Sequence, residues 1–211
     1  MDKNTKIVVA FYRSHADASI LFRGWSGPPI DIAYCYTEED LKREIRDAHV
    51  LLLPGNRYTP EVRAIVAEST VTWIQSSGVG VNSYYDVGIP PNVALTNARG
   101  VYTPTIVEHV LALLLGFARG IPIMERCRAE RNWCRDYLLS QLRTVRDRHL
   151  VVYGFGEIGE AIGTAASTLG IDVVGITRTA RADDHRSSGI RVVPADSDAA
   201  RNALAIAEFV V

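Results

Sequence analysis

The sequence predicts an α/β protein built on parallel sheets, and two observations carry this prediction. Apolar, strand-like segments alternate with helical segments along most of the chain. Strands that are apolar on both faces and alternate with helices are typical of a parallel sheet covered by helices. In addition, the apolar run at residues 150–153 leads directly into Gly154-x-Gly156-x-x-Gly159, and a helical stretch and a second β-rich run follow. This order of strand, glycine turn, helix and strand is a nucleotide-binding pattern.

The three glycines indicate a dinucleotide-binding turn. Gly154 permits the tight turn, Gly156 lets the backbone approach a pyrophosphate, and Gly159 lets the helix lie close to the strand. The helix N-terminus then presents amide groups to the phosphates. A glycine turn of another α/β protein is the alternative. The motif begins at residue 154 of 211, and a complete dinucleotide site uses two mononucleotide-binding halves. We therefore expect this chain to contain the adenosine side of a cofactor site and little of its nicotinamide side.

The remaining elements follow from apolar runs and helix signals. One helix is predicted to begin after Thr37, with acidic residues in its first turn, and another is predicted to begin at Pro60. A long helix is predicted from Thr103 to Ile121, with Thr103 as its cap. Because it is apolar almost all round, we expect it to be buried on most sides, at a junction of lobes or subunits. Five strands are predicted in the first hundred residues, at 6–11, 30–36, 50–53, 71–74 and 93–96.

Composition argues against several functions. The net charge of −1 gives no electrostatic case for nucleic acid or an anionic membrane, and no secretory signal is visible. The three cysteines form no CxxC pair, and their odd number favours a reducing, cytoplasmic compartment over a disulfide framework. No metal site is expected, because the histidines have no ligand spacing. His109, in an apolar helix, is interpreted as structural.

Several segments together resemble one family, the D-isomer-specific 2-hydroxyacid dehydrogenases. They are the glycine loop at residues 76–82, the loop and helix at residues 97–115, and the turn at residues 154–159. The resemblance implies a flavodoxin-like substrate domain at residues 1–100. It also implies an interdomain helix and an incomplete Rossmann dinucleotide-binding domain at residues 101–211. The family's catalytic arginine, glutamate and histidine lie beyond this point, so no catalytic residue is assigned and the chain is expected to be truncated.

The resemblance also implies ligand-binding residues. The amides of Val79 and Gly80 would hold a substrate carboxylate, although an ordinary strand-to-helix turn is the alternative. Thr103 would lie near the nicotinamide amide, and a simple helix cap is compatible with that role. A homodimer through the long helix is the family default. The fingerprint residues assigned to the cofactor are Gly154, Phe155, Gly156, Glu157, Ile158 and Gly159.

The end of the second strand of this predicted domain favours NADP over NAD. An NAD site usually has an acidic residue about 20 residues past the fingerprint, on the ribose 2′-OH. Here Arg178, with Arg181 nearby, stands where the acid is expected, and guanidinium suits a 2′-phosphate. Thr177 and Thr179 would donate hydrogen bonds. Solvated arginines in a loop are the alternative, and the bulky Tyr153 is expected to crowd the site.

The predicted function is therefore oxidation and reduction at the CH–OH group of a small 2-hydroxy acid, with NAD(P) as cofactor. The chain alone is expected to be inactive, because the proton carrier is missing. The alternatives are a non-catalytic nucleotide-binding or interaction module, similar to the corepressor branch of the family, and a truncated gene product.

Overall fold

The computed structural model describes residues 4–11, 22–178 and 189–211, and the backbone of Asp184–His185. Within these residues the chain divides into two compact units, Met1–Arg99 and Gly100–Val211. Each unit is built around its own five-stranded sheet. The prediction of an α/β protein with parallel sheets is confirmed. The assignment of the two units to substrate and cofactor stays a prediction.

The first unit contains a fully parallel sheet in the order β2-β1-β3-β4-β5. This is the flavodoxin-like order, in which ligands bind beyond the carboxyl ends of the strands. Its first two described helices begin as predicted: the hydroxyl of Thr37 accepts from the amide of Asp40, and that of Thr59 accepts from the amide of Val62. The strands are β1 (Thr5–Ala10), β2 (Ile30–Cys35), β3 (Val50–Leu53), β4 (Trp73–Ser76) and β5 (Ala94–Thr96), and the helices are α1 (Glu38–Glu44), α2 (Pro60–Ala67) and α3 (Asn82–Val87), with a 3₁₀ turn at Gly55–Arg57.

The second unit contains a sheet in the order β10-β6-β7-β9-β8, in which only the β8–β9 pair is antiparallel. Strands β9, β7, β6 and β10 thus follow the 3-2-1-4 order of a dinucleotide-binding fold. The elements in chain order are α4 (Thr103–Ala118), α5 (Ile121–Ala129), α6 (Arg135–Gln141), β6 (His149–Tyr153), α7 (Glu157–Thr168), β7 (Asp172–Thr177), β8 (Asp184–His185), β9 (Arg191–Pro194), α8 (Asp198–Ile206) and β10 (Phe209–Val210).

The long helix is shorter than predicted. It ends at Ala118, and Gly120 takes a left-handed conformation with φ 65°. A glycine in this conformation ends a helix, and α5 then leaves at 65° to α4. The prediction of one helix from Thr103 to Ile121 is therefore wrong at its C-terminal end.

The expected burial of α4 is also wrong for the single chain. Only Leu114 and Ala118 are buried, whereas Phe117 is 64% exposed and Leu113 is 48% exposed. The reason is that α4 packs along one side against α7 and leaves other apolar faces in contact with solvent.

The expectation against disulfides is wrong for one pair. Cys127, in the last turn of α5, is bonded to Cys134, which occupies the N-cap position of α6. Two helices joined by a short loop bring these residues to a Cα–Cα distance of 6.2 Å, within the range that a disulfide requires. Cys35 is a free, buried thiol, and burial raises its pKa to about 11. The cytoplasmic location stays a prediction.

No single helix in the described part of the chain is long and apolar enough to cross a membrane. Helices α4 and α5 would meet the requirement only together, and they are bent at their junction.

Candidate functional site

The first candidate site is the loop that follows β4 at the carboxyl edge of the first sheet. Its carbonyl groups are held by the segment after β5: the amide of Ala98 donates to the oxygen of Gly78 at 3.1 Å, and the side chain of Asn97 donates to the oxygen of Val79 at 2.6 Å. The loop is therefore tied to the sheet through its acceptors.

The donors of this loop point the other way. Among the described residues, the amides of Val79 and Gly80 donate to no partner. Val79 is 37% exposed, and a Cβ built on Gly78 or on Gly80 would meet no atom within 4 Å. Successive outward amides beside open space form a concavity that binds anions. The loop has the donors that a carboxylate needs.

The second candidate site is the glycine turn between β6 and α7. Gly154 has a φ of 105°, which favours glycine. The amides of Gly154 and Phe155 both donate to the oxygen of Ile176 at the end of β7, at 2.8 and 3.0 Å. A Cβ on Gly159 would collide with the oxygen of Gly154, whereas Gly154 and Gly156 have open space beside them. The turn thus has the close helix–strand contact and the open side that a pyrophosphate requires.

The predicted fingerprint residues divide into two groups. The ring of Phe155 is buried against Gly163 and Gly175, so this residue offers a ligand its backbone alone. Ile158 packs against the core of the unit. Gly156 is the N-cap residue of α7, and its amide donates to the oxygen of Gly154 at 2.9 Å, while Glu157 is the first residue of the helix.

Thr103 lies beside this helix, but it is not the cap of α4. The capping position is Tyr102, which makes no side-chain cap, and Thr103 is the first residue of α4. Its hydroxyl donates to the carboxylate of Glu157 at 3.3 Å. The cap prediction is therefore wrong, and the structure places Thr103 next to the fingerprint instead.

The residues predicted to choose the cofactor lie at the end of β7. Thr177 is half-buried as the last residue of β7, and Arg178 follows it and is exposed. Thr179 and Arg181 lie outside the described residues. The ring of Tyr153 is 60% exposed at the carboxyl end of β6.

Sequence reasoning did not single out Asn97 as a residue that holds the loop after β4. Its position directly after β5, within a segment already matched to the family, was the available signal. His149 pairs with Asp172 at 3.0 Å at the amino ends of β6 and β7. The described residues contain no group of three His, Cys, Asp or Glu residues that could hold a metal ion.

Comparison with known proteins gives a family match. Residues 111–209 match the model of the D-isomer specific 2-hydroxyacid dehydrogenase NAD binding domain. The chain is 26% identical over 183 residues to D-3-phosphoglycerate dehydrogenase 2, chloroplastic, of Arabidopsis thaliana. This alignment covers 86% of the chain and 28% of that protein.

Solved structures share the fold over nearly the whole chain. A D-isomer specific 2-hydroxyacid dehydrogenase family protein from Aeromonas salmonicida has a TM-score of 0.78 at 24% identity, with 99% of this chain and 63% of that chain covered. An NADPH-dependent glyoxylate/hydroxypyruvate reductase from Sinorhizobium meliloti, in complex with NADP and sulfate, has a TM-score of 0.74 at 17% identity. The match covers 99% of this chain and 61% of that chain. The chain thus spans less than two thirds of the length of these proteins.

Proposed function

We propose that the chain is a member of the D-isomer-specific 2-hydroxyacid dehydrogenase family and that it forms the carboxylate-binding and dinucleotide-binding parts of an NAD(P)-dependent oxidoreductase. The reaction would be at the CH–OH group of a small 2-hydroxy acid, or in reverse at a 2-oxo acid. The observation that carries the proposal is the pair of outward amides at Val79 and Gly80, in a chain that also contains the Gly154 turn.

The chain's own residues would bind and orient the reactants. The amides of Val79 and Gly80 would hold the acid group, and we call the loop after β4, residues 77–81, the carboxylate loop. Charge-assisted hydrogen bonds of this kind are the strong ones. The open turn at Gly154 and Gly156 and the N-terminus of α7 would hold the pyrophosphate. The bound nicotinamide would supply the hydride acceptor or donor. A general acid or base must stand within hydrogen-bond reach of the substrate hydroxyl, and no residue of this chain is assigned to that role.

We favour NADP as the cofactor and 2-oxo acids of the size of glyoxylate and hydroxypyruvate as substrates. Arg178 follows β7 where an NAD site usually has an acid. The Sinorhizobium meliloti reductase, which shares the fold, is named as NADPH-dependent and acts on these two substrates.

A binding and turnover experiment tests the proposal. Purified chain of residues 1–211 is titrated with NADPH by calorimetry, then supplied with glyoxylate, hydroxypyruvate or pyruvate while the nicotinamide absorbance is followed. We expect weak NADPH binding and no turnover, because positioned acid–base groups contribute about 10²–10⁴-fold and none is assigned here. Gly156→Asp, which places a carboxylate at the turn, should abolish binding.

Two results would contradict the proposal. NADPH binding that survives Gly156→Asp would place the dinucleotide elsewhere. Steady turnover that co-purifies with the chain and disappears in Gly156→Asp would show that a residue within the chain carries the proton, and His109 would be the first residue to replace.

A further inference from the structure

We propose that Asn97 is a positioning residue of the carboxylate loop, and that its side-chain amide holds the Gly80 amide in the direction needed to bind the acid group. This inference rests on the proposed function of the loop. It adds a residue outside the loop that determines the loop's affinity for carboxylates.

The planarity of the peptide bond links the Val79 oxygen to the Gly80 amide. In a trans peptide, the carbonyl of one residue and the amide of the next lie in one plane and point in opposite directions. The oxygen of Val79 therefore belongs to the same rigid unit as the amide of Gly80. Asn97 donates to this oxygen at 2.6 Å, so its hydrogen bond sets the direction of the Gly80 amide.

The other peptide unit of the loop is held by the backbone. The amide of Ala98 donates to the oxygen of Gly78 at 3.1 Å, and this oxygen shares its unit with the amide of Val79. The segment after β5 thus anchors two successive units through their oxygens. The amides of Val79 and Gly80 must then point away from that segment. Neither amide has a hydrogen-bond partner among the described residues.

The chemistry of the contact identifies the donor. A backbone carbonyl oxygen can only accept, so the atom of Asn97 that faces it must be Nδ2. Asn97 is half-buried, which limits the motion of its side chain. Donation to the carbonyl also polarises the peptide, and a polarised peptide has a stronger amide donor. Asn97 therefore both directs and strengthens the Gly80 amide.

Without the Asn97 side chain, no other contact would fix the direction of the peptide unit formed by the Val79 carbonyl and the Gly80 amide. Gly80 has no side chain, and a Cβ built on it would meet no atom within 4 Å. Glycine also has the widest range of backbone conformations. Loss of the Asn97 contact should therefore free the Gly80 amide while the Val79 amide stays in place, because the Ala98 contact does not depend on a side chain.

A residue-resolved titration tests the inference. We would record ¹H–¹⁵N spectra of residues 1–211 during titration with oxamate, a carboxylate analogue of the 2-oxo acids. In the natural chain, the signals of both Val79 and Gly80 should shift. In Asn97→Ala, we expect a dissociation constant about tenfold higher and loss of the Gly80 shift, while the Val79 shift is kept. Asn92→Ala, an exposed asparagine in the same unit, is the matched control and should behave as the natural chain.

A second variant covers the case in which Asn97→Ala does not fold. Asn97→Asp has nearly the same shape, but its carboxylate cannot donate to the Val79 oxygen at neutral pH. It should weaken oxamate binding in the same way and with the same selective loss at Gly80.

The outcomes separate the inference from the function on which it rests. If oxamate shifts both amides equally in Asn97→Ala and in the natural chain, with the same dissociation constant, the role of Asn97 is wrong and the loop's function stands. Equal loss of the Val79 and Gly80 shifts would show a general collapse of the loop, which also overturns a directed role. If neither signal responds in the natural chain, the carboxylate function fails, and this inference fails with it.

Discussion

At the scale of single residues, the glycine turn shows how space rather than flexibility determines the choice of residue. Gly154 needs its positive φ, but Gly159 is in an ordinary helix and is required because the Gly154 oxygen occupies the place of a Cβ. Gly175 is required for a similar reason, since the ring of Phe155 lies against it. The turn is thus packed from its inner side and open on its outer side.

Gly159→Ala should separate α7 from β6. We expect a loss of stability of about 1–3 kcal/mol, as for other overpacked positions, and a loss of NADPH binding, because the turn must shift. The measurement is thermal unfolding with and without NADPH. Gly116→Ala in α4 is the matched control: its Cβ would have ordinary contacts, so alanine should stabilise the helix slightly. Equal behaviour of the two variants would contradict the argument.

Arg178 provides the test of cofactor choice. A guanidinium that pairs with the 2′-phosphate should make NADPH bind more tightly than NADH, and Arg178→Ala should remove about a tenfold preference. Calorimetric titration with both cofactors measures this. Arg191→Ala, an exposed arginine of β9, should leave the preference unchanged. Equal affinities in the natural chain, or a preference for NADH, would refute the assignment.

At the scale of elements, the α5–α6 pair depends on a covalent link. Its connecting loop is exposed, and Trp133 in this loop is 88% exposed, so little packing holds it. Reduction of the Cys127–Cys134 disulfide should lower the free energy of unfolding by about 2 kcal/mol through the entropy of the unfolded loop. The measurement is thermal unfolding with and without dithiothreitol. Cys127→Ser should lower the free energy of unfolding by a similar amount and should not respond to reductant; a response that persists in this variant would contradict the role of this disulfide.

The last strand, β10, is attached to β6 by a carboxylate. Glu208 accepts from the backbone amide of His149 at 2.9 Å and from Arg148 at 2.7 Å, and these contacts lower the pKa of its carboxyl. Since the pKa is lower in the folded state, the stabilisation is complete above the unfolded pKa of about 4.3 and is lost as the pH falls through the folded pKa.

Glu208→Gln should therefore be less stable than the natural chain at pH 7, and the difference should disappear in acid. Melting temperatures from roughly pH 7 to pH 3 check this. Glu130→Gln, at the end of α5, is the control and should follow the natural chain. A difference of constant size across this range would show that the contact does not depend on ionisation.

At the scale of the whole molecule, the exposed apolar faces of α4 are interpreted as a contact between two copies of the chain. Phe117 and Leu113 are among the more exposed apolar residues, and monomeric proteins rarely expose large contiguous apolar patches. We expect light scattering to show a homodimer. Phe117→Asp should give a monomer, whereas Tyr85→Asp, which replaces an equally accessible aromatic in the first unit, should stay dimeric. A monomeric natural chain would contradict this proposal.

The sequence alone determined the features that depend on neighbouring residues. The apolar runs predicted parallel strands because such strands are buried on both faces. Thr37 and Pro60 predicted two helix starts because a cap acts within three residues and proline suits the first position of a helix. The spacing of the fingerprint glycines predicted the turn before α7 for the same reason. In each case the cause and the effect lie within one turn or one strand.

The tertiary structure alone decided the features that join distant parts of the chain. Asn97 and Val79 are 18 residues apart, and only the neighbouring positions of β4 and β5 in the sheet bring them into contact. The exposed faces of α4 depend on which helices pack against it. The hydropathy of α4 shows that its surface is apolar, but it does not show how many helices cover that surface. The disulfide depends on how the loop after α5 turns the chain back so that the start of α6 lies beside the end of α5. Such contacts depend on how elements are arranged in space, which local patterns do not record.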